Sequence, residues 1–235
     1  MHQYFANNKV NNQIIFSKED YNHIKNVMRY KPKDMVYAAY DNVRYICEFS
    51  PLLDTADIIS IDEIKKSKRI INAYIPLLEE NKMSFVLQKA CELGVTNITV
   101  VMFSHGKYKL DNTSINKKLK RWNEILRNAS MQSQRLDIPS LLGCINIDKI
   151  NKVTGVNILC SLDKSSVKPL NTVLTNKNIY DIVNIVYGPE GGISKDEEDF
   201  LVKQNFIKTS LSSSVLRTET VLIYLMSVIN YLEEL

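Results

Sequence analysis

Two short, almost wholly apolar runs, residues 97–103 and 182–187, most constrain how this chain can fold. A strand that is apolar along its whole length must be covered on both faces, which is the habit of a parallel sheet with helices on either side. Further strands are expected at 70–75 and 157–162. Helical patterns lie between and after them, at 83–93, 117–133, 194–204 and 218–233. In the first, Met83, Val86, Leu87 and Ala90 share a face and Gly94 ends the helix. In the second, Leu119, Trp122, Leu126 and Ala129 form the apolar stripe, which puts Trp122 in the core. This alternation predicts an α/β fold with a mostly parallel sheet.

The first third reads differently. Strands are expected at 13–16, 35–39 and 44–49, with Asp41-Asn42 as the hairpin turn between the last two. A helix is expected over 18–30, capped by Ser17 and stopped before Pro32. Short strands with one helix suggest a small β-barrel. The charged stretch 63–69 is the natural junction, giving domains at 1–68 and 69–235.

Composition narrows the function classes. The net charge of +4 over 235 residues fits a nucleic-acid partner without requiring one. Cys47, Cys91, Cys144 and Cys160 are scattered, as are His2, His23 and His105, so no zinc spacing exists and no metal is expected. Reduced, buried cysteines point to the cytoplasm. The most apolar segment, 221–229, is about half the roughly 20 residues of a membrane span, and the start of the chain does not read as a secretion signal.

Three segments can carry chemistry. Tyr187-Gly188-Pro189-Glu190-Gly191-Gly192-Ile193-Ser194 follows an apolar strand and precedes a helix, where open α/β sheets bind ligands. Its glycines permit close backbone approach, and Ser194 with Glu197 spells a capping box. It is neither a dinucleotide fingerprint nor a phosphate loop, and an ordinary glycine-rich turn would use the same residues. The second segment is Leu211 to Thr220. Thr218 fits an N-cap and Glu219 a first helical turn. Arg217 opposes the helix dipole, so it implies either an anionic partner such as phosphate or a neighbouring carboxylate. The third runs from Arg121-Trp122 to Gln132-Ser133-Gln134-Arg135. Its lysines and arginines could follow RNA phosphates or merely solvate a helix face.

Together these segments resemble one family. Gln88 to Val95 is similar to its QKxxELGV helix. Arg121-Trp122, Gln132-Ser133, Arg135 and Pro139 follow its RW…QSxR…P pattern. Gly188 to Ser194 is similar to its GPEGG loop, Leu216 to Thr220 to its LRTET segment, and His23 to Arg29 to its HxxxVLR helix. These are the signatures of the RsmE-type family of the knotted SPOUT superfamily, in order and over essentially the whole chain. The chain departs from the pattern at Ser212, where the family usually has glycine, and at Val221, where it usually has alanine. If residue 212 needs a positive φ, Ser212 would be strained by about 1 kcal/mol or more.

The resemblance implies a PUA-like RNA-binding β-barrel followed by an α/β domain with a C-terminal trefoil knot. It implies a homodimer with its active site at the subunit interface. It implies S-adenosylmethionine as cofactor and N3 of a uridine in small-subunit (16S) ribosomal RNA as target, presented as RNA or as the assembled subunit. On this reading Leu162, Gly188, Glu190, Gly191, Gly192, Leu211, Leu216 and Thr218 surround the cofactor, mainly through backbone groups. Arg217 stabilises the uracil anion or grips phosphate, and Glu219 or Glu190 is either base or loop anchor. Lys25, Arg29, Arg121, Gln132 and Arg135 are the RNA contacts. Two other readings use the same motifs: a knotted methyltransferase with another RNA target, such as a ribose hydroxyl, and a catalytically weak RNA-binding module.

Overall fold

The computed structural model describes residues 1–64, 69–163, 166–174 and 181–234. It divides into two compact units, residues 1–67 with 127–138, and residues 68–126 with 139–235. The charged junction expected at 63–69 has residues 65–68 outside the described residues. The segment 127–138, which the sequence reading assigned to the second domain, packs in the first unit.

The first unit contains β1 (Gln3–Phe5), β2 (Asn8–Val10), β3 (Gln13–Ile15), α1 (Lys18–Asn22), β4 (Met35–Tyr40), β5 (Val43–Phe49) and β6 (Thr55–Asp62). They form one mixed sheet in the order β1-β4-β5-β6-β3-β2, in which only the β1–β4 pairing is parallel. Alternation on the half-buried strands supplies its core: Tyr4, Ile14, Phe16, Val36, Ala38, Cys47, Phe49 and Ala56, with Ile24 from the helical segment. Asp41 and Asn42 take φ of 50° and 60°, the left-handed pair that a two-residue hairpin loop demands. Ser17 caps α1 by accepting from the Asp20 N–H at 3.0 Å.

The helix expected over 18–30 is shorter and changes pitch. After Asn22 it widens into a π-helical turn, His23–Val27, closed by the Met28 N–H on the His23 carbonyl at 2.9 Å. Arg29 at φ 55° then turns the chain out of the helix. Segment 127–138 is fixed by polar bonds that its helical periodicity did not announce. Arg127 pairs with Asp20 at 2.6 Å, Gln134 accepts from Arg44 at 3.0 Å, and the Arg135 carbonyl accepts from Gln3 at 2.6 Å.

The second unit contains β7 (Ile70–Pro76), α2 (Glu80–Glu92), β8 (Asn97–Met102), α3 (Asn112–Gln132, whose last turns belong to the first unit), β9 (Ser140–Asn146), β10 (Val156–Cys160), β11 (Lys168–Pro169), the short α4 (Leu170–Val173), β12 (Ile182–Val186), α5 (Lys195–Lys203), β13 (Ile207–Ser210) and α6 (Thr218–Glu234). The seven strands are parallel throughout, in the order β11-β13-β10-β12-β7-β8-β9. β8 and β12 each bury four successive residues, so both faces are covered as their apolar runs required. Trp122 is fully buried, also as expected. α3 starts five residues earlier than its apolar stripe suggested, because the Asp111 carboxylate caps it through the Ser114 N–H at 2.8 Å.

A polar line crosses this apolar sheet. Asn97, Asn72, Asn184 and Asn157 lie in register on β8, β7, β12 and β10. Their side-chain amides hydrogen-bond in sequence at 2.8, 2.7 and 2.7 Å. Asn184 is fully buried and also donates to the Thr154 carbonyl at 2.8 Å. Each amide satisfies its neighbour only when the strands keep this register, so the line selects one pairing among several that apolar packing alone would allow.

Candidate functional site

The strand order decides where ligand chemistry can occur. β13, β10 and β12 are neighbours and parallel, so their carboxyl ends open on the same edge of the sheet. Three loops leave there: from Ser161, from Tyr187 and from Leu211. The sheet therefore brings together Leu162, the Gly188–Gly192 loop and the segment from Leu211 to Thr218, which lie far apart in sequence.

The Tyr187–Ser194 loop is shaped by its glycines and by α5. Gly192 has φ 75°, a left-handed conformation that a side chain strains. A Cβ on Gly191 would come within 2.6 Å of the His105 backbone carbonyl, so that position must lack one. The capping box forms: Ser194 caps α5 and Glu197 reaches back to the Ser194 N–H at 3.0 Å. Glu197 also accepts from the backbone N–H and hydroxyl of Ser104, at 2.6 and 2.9 Å. One carboxylate thus fixes two adjacent loops. Burial pushes its pKa up, but the hydrogen bonds from Ser104 and Ser194 outweigh this and hold it below the ordinary value.

The third loop is locked to the second. Thr218 is the first residue of α6, and its hydroxyl donates to the Gly188 carbonyl at 2.6 Å. The expected N-cap role falls instead to Arg217, whose carbonyl accepts from the Thr220 and Val221 N–H groups. Ser212 is not in the left-handed region, so the strain anticipated there does not arise. Its hydroxyl accepts from the Ser214 N–H at 3.2 Å. At the first loop, the Ser161 hydroxyl donates to Glu198 at 2.6 Å, and Glu198 pairs with Lys208 at 2.6 Å. That pair roots the segment bearing Leu162, which is itself 68% exposed.

Charge is concentrated at the junction of the second and third loops. Lys82, in the first turn of α2, reaches Glu190 at 2.5 Å and Glu219 at 3.9 Å. The hydrogen bond to Glu190 raises the pKa of Lys82, and the same bond lowers that of Glu190. One oxygen of Glu219 and the hydroxyl of Tyr187 are buried without a hydrogen-bond partner. Burial, Cys160 and Glu219 together push the Tyr187 hydroxyl far above its usual pKa. Arg217 is exposed and makes no ion pair with any described residue, so of its two sequence readings, the neighbouring-carboxylate one finds no partner among them.

The RNA-contact candidates divide between the units. Lys25, Arg29 and Gln132 are exposed in the first. Lys25 stays close to Tyr21, whose hydroxyl lies 3.1 Å away. Arg135, also in the first unit, is 14% exposed at its side chain and holds Asp137 at 3.0 Å. Arg121, in the second, is 61% exposed and lies 3.3 Å from Glu80. Separately, Leu211, Ser212 and Ser213 border an apolar groove of about 850 Å³ with Leu170, Tyr224 and Tyr231. Of the residues expected to meet a cofactor, this groove includes Leu211 alone, so its position does not mark the three-loop site.

Lys82, Ser104 and Glu198 were not foreseen as parts of this region. Each has an ordinary local explanation, and only the tertiary fold gives it a partner distant in sequence.

A wholly parallel sheet with three loops leaving adjacent strand ends defines this unit as an α/β domain. The RNA methyltransferase domain pattern matches residues 65–230, and the chain belongs to the RsmE-type family of RNA methyltransferases. The ribosomal RNA small subunit methyltransferase E of Mesomycoplasma hyopneumoniae is 30% identical over 97% of this chain and 98% of that protein. The Bacillus subtilis protein of the same name is 26% identical over 92% and 89%. In structure, the ribosomal RNA small subunit methyltransferase E of Neisseria gonorrhoeae, crystallised bound to S-adenosyl methionine, superposes with a TM-score of 0.85. It is 24% identical and covers 99% of this chain and 98% of its own, which establishes the shared fold.

Proposed function

We propose that this chain transfers the methyl group of S-adenosylmethionine to N3 of a uridine in small-subunit (16S) ribosomal RNA. The family and the names of its relatives support ribosomal RNA methylation. The observation that carries the reading to a mechanism is the locked pair of loops: Thr218 pins the Gly188 turn, and Arg217 beside it stays exposed.

The cofactor supplies a methyl group already activated on a sulfonium, so the chain has to bind, orient and exclude water. The main chain at Gly188, Gly191 and Gly192 admits a ligand closely, and Leu162, Leu211 and Leu216 offer apolar walls. The polar atoms of Glu219 and Tyr187 that lack a hydrogen bond fit a ligand bearing donors and acceptors of its own. Uridine N3 becomes nucleophilic once it loses its proton. Arg217 stabilises the anion that develops on the uracil ring. Glu219 takes the N3 proton in preference to Glu190, whose carboxylate is held low by the hydrogen bond from Lys82. The target base leaves its stack to reach the site.

The first unit acts as a PUA-like module holding RNA through Lys25, Arg29 and Gln132, with Arg121 and Arg135 assisting. The C-terminal loops thread a trefoil knot, which fits the insertion of β12 between β7 and β10. The chain works as a homodimer, for which the groove flanked by the exposed Tyr224 and Tyr231 offers an apolar face.

The test is tritium transfer from labelled S-adenosylmethionine to small ribosomal subunits lacking uridine-N3 methylation. Label recovered as 3-methyluridine, and lost with Arg217→Ala, is the expected result. Cofactor binding without label in 3-methyluridine would overturn the target assignment.

A further inference from the structure

Lys82 lies in the first turn of α2, 108 residues before Glu190, and no motif discussed above includes it. Its ammonium is nevertheless the cation that sits between the carboxylates of two different loops. Glu190 belongs to the turn after β12, and Glu219 to the first turn of α6. The Glu219 side chain is 18% exposed and that of Glu190 34%.

We propose that Lys82 is a positioning residue, whose ammonium holds Glu190 and Glu219 together and so fixes the relative placement of the Gly188 and Arg217 segments that form the cofactor site. The inference rests on the proposed function for the identity of that ligand, but not for the clamp itself.

The charges around the cluster make the alternative costly. Glu79 adds a third negative charge near Lys82, and Lys107 lies near enough to Glu190 to influence it. Tyr187, facing Glu219, remains a neutral hydroxyl through the usual pH range because burial opposes its ionisation. Without the ammonium, Glu190 and Glu219 would lose the cation they share, leaving Glu190 with Lys107 as the other cation that acts on it. Like charges at short range then either separate, opening the loops, or share a proton. Sharing a proton would make the geometry of the site depend on pH.

A packing role for the lysine stem predicts something different. Its loss would weaken the site equally at every pH, and no change at Glu190 would repair it.

The experiment measures S-adenosylmethionine binding by calorimetry for the full chain and for Lys82→Met, Lys82→Arg and Lys82→Met/Glu190→Gln, at pH 6 and pH 8. Lys82→Met is expected to bind about tenfold more weakly at pH 8, the scale of a partly exposed charged hydrogen bond. The deficit should shrink at pH 6, and the Arg variant should keep most of the affinity. The added Glu190→Gln change should recover affinity at pH 8 by removing one of the opposed charges. Native affinity in Lys82→Met, or a pH-independent loss that Glu190→Gln does not relieve, would overturn the proposal.

Thermal unfolding of the ligand-free proteins keeps the two readings separate. A double-mutant cycle over Lys82→Met and Glu219→Gln should show a coupled shift in midpoint whether or not the native chain binds this cofactor. Absence of binding by the native chain, with the coupling intact, would count against the functional reading alone. Additive midpoints would overturn the clamp.

Discussion

The Thr218 hydroxyl donates to the Gly188 carbonyl at 2.6 Å, so the first residue of α6 is bonded across the sheet edge to the turn that leaves β12. Thr218 is almost fully buried, and no other described side chain bonds that carbonyl. Thr218→Val keeps the shape and removes the donor. It should cost about 1–2 kcal/mol of stability, measured by urea unfolding, and it should weaken cofactor binding. Thr218→Ser should retain most of both. Equal losses in Val and Ser would show that the methyl group matters and the hydrogen bond does not.

The asparagine line makes a larger demand. Asn184→Leu is nearly isosteric and would suit a strand, yet it removes partners from Asn72 and Asn157 together. Each stranded amide costs about 1–3 kcal/mol, so a total loss of roughly 2–6 kcal/mol is expected in chemical denaturation. The double change Asn184→Leu/Asn157→Leu should lose less than the sum of the two single ones. Strict additivity would mean that the amides act independently.

This line also shows where sequence reading stops. Asparagine is a poor strand former, so Asn72, Asn97, Asn157 and Asn184 each look like a blemish in an apolar run, and only their register turns four blemishes into a chain of bonds. The parallel sheet was legible because it follows from hydrophobic pattern alone. The Ser194–Glu197 capping box was legible because both partners lie within one turn. β1, β2, β6 and β9 were missed: β1 and β2 are three residues each, β6 mixes polar and apolar residues without clear alternation, and the apolar run of β9 is interrupted by Gly143. The extra turn of α2 before Met83 was missed because Glu80 and Lys82 carry no apolar signal. The partners of Lys82 could not be foreseen, because a lysine in a first helical turn has no local pattern that specifies distant carboxylates. Segment 127–138 shares a helix with residues of the other unit, and helical periodicity does not record which core a given turn joins.

The backbone demand at Gly191 can be tested directly. An added Cβ would lie 2.6 Å from the His105 carbonyl, a contact with backbone that cannot swing aside. Gly191→Ala should therefore separate the two loops, costing about 1–3 kcal/mol, and impair cofactor binding. Gly94→Ala provides the contrast: nothing lies within 4 Å of the added carbon, and the penalty comes from its φ of 93°. That variant should lose stability while keeping cofactor affinity. If Gly191→Ala binds normally, the close approach of the His105 loop is not needed by the site.

Acid should release the Ser104–Glu197–Ser194 cluster. Four hydrogen bonds converge on the Glu197 carboxylate, from the N–H and hydroxyl of each serine. They depress its folded pKa below the ordinary 4.5. A depressed carboxylate stabilises the fold fully above its unfolded pKa, and that contribution fades as pH falls through the folded value. Glu197→Gln should thus be less stable than the native chain at pH 7, and the difference should narrow steadily below pH 4.5. Unfolding midpoints taken from pH 7 to pH 3 would show it. A gap that stays constant over that range would assign the effect to packing.

Arg217 separates function from folding most sharply. It is exposed, makes no ion pair with a described residue, and contributes only its main chain to the start of α6. Arg217→Ala should leave the urea midpoint unchanged, since surface positions without partners tolerate truncation. Cofactor affinity should also be largely kept, because the proposed task of the guanidinium is at the uracil. Methyl transfer should fall by about 10²-fold or more, the scale of losing a group that stabilises developing negative charge. Arg217→Lys keeps a cation without the planar fork, so its behaviour discriminates between tasks. Substantial activity in the lysine variant would indicate charge stabilisation alone. Activity as low as in the alanine variant would point to two-pronged recognition of a phosphate or a uracil edge. If Arg217→Ala transfers methyl groups at the native rate, the anion-stabilising role is excluded and the search moves to the cations of the first unit.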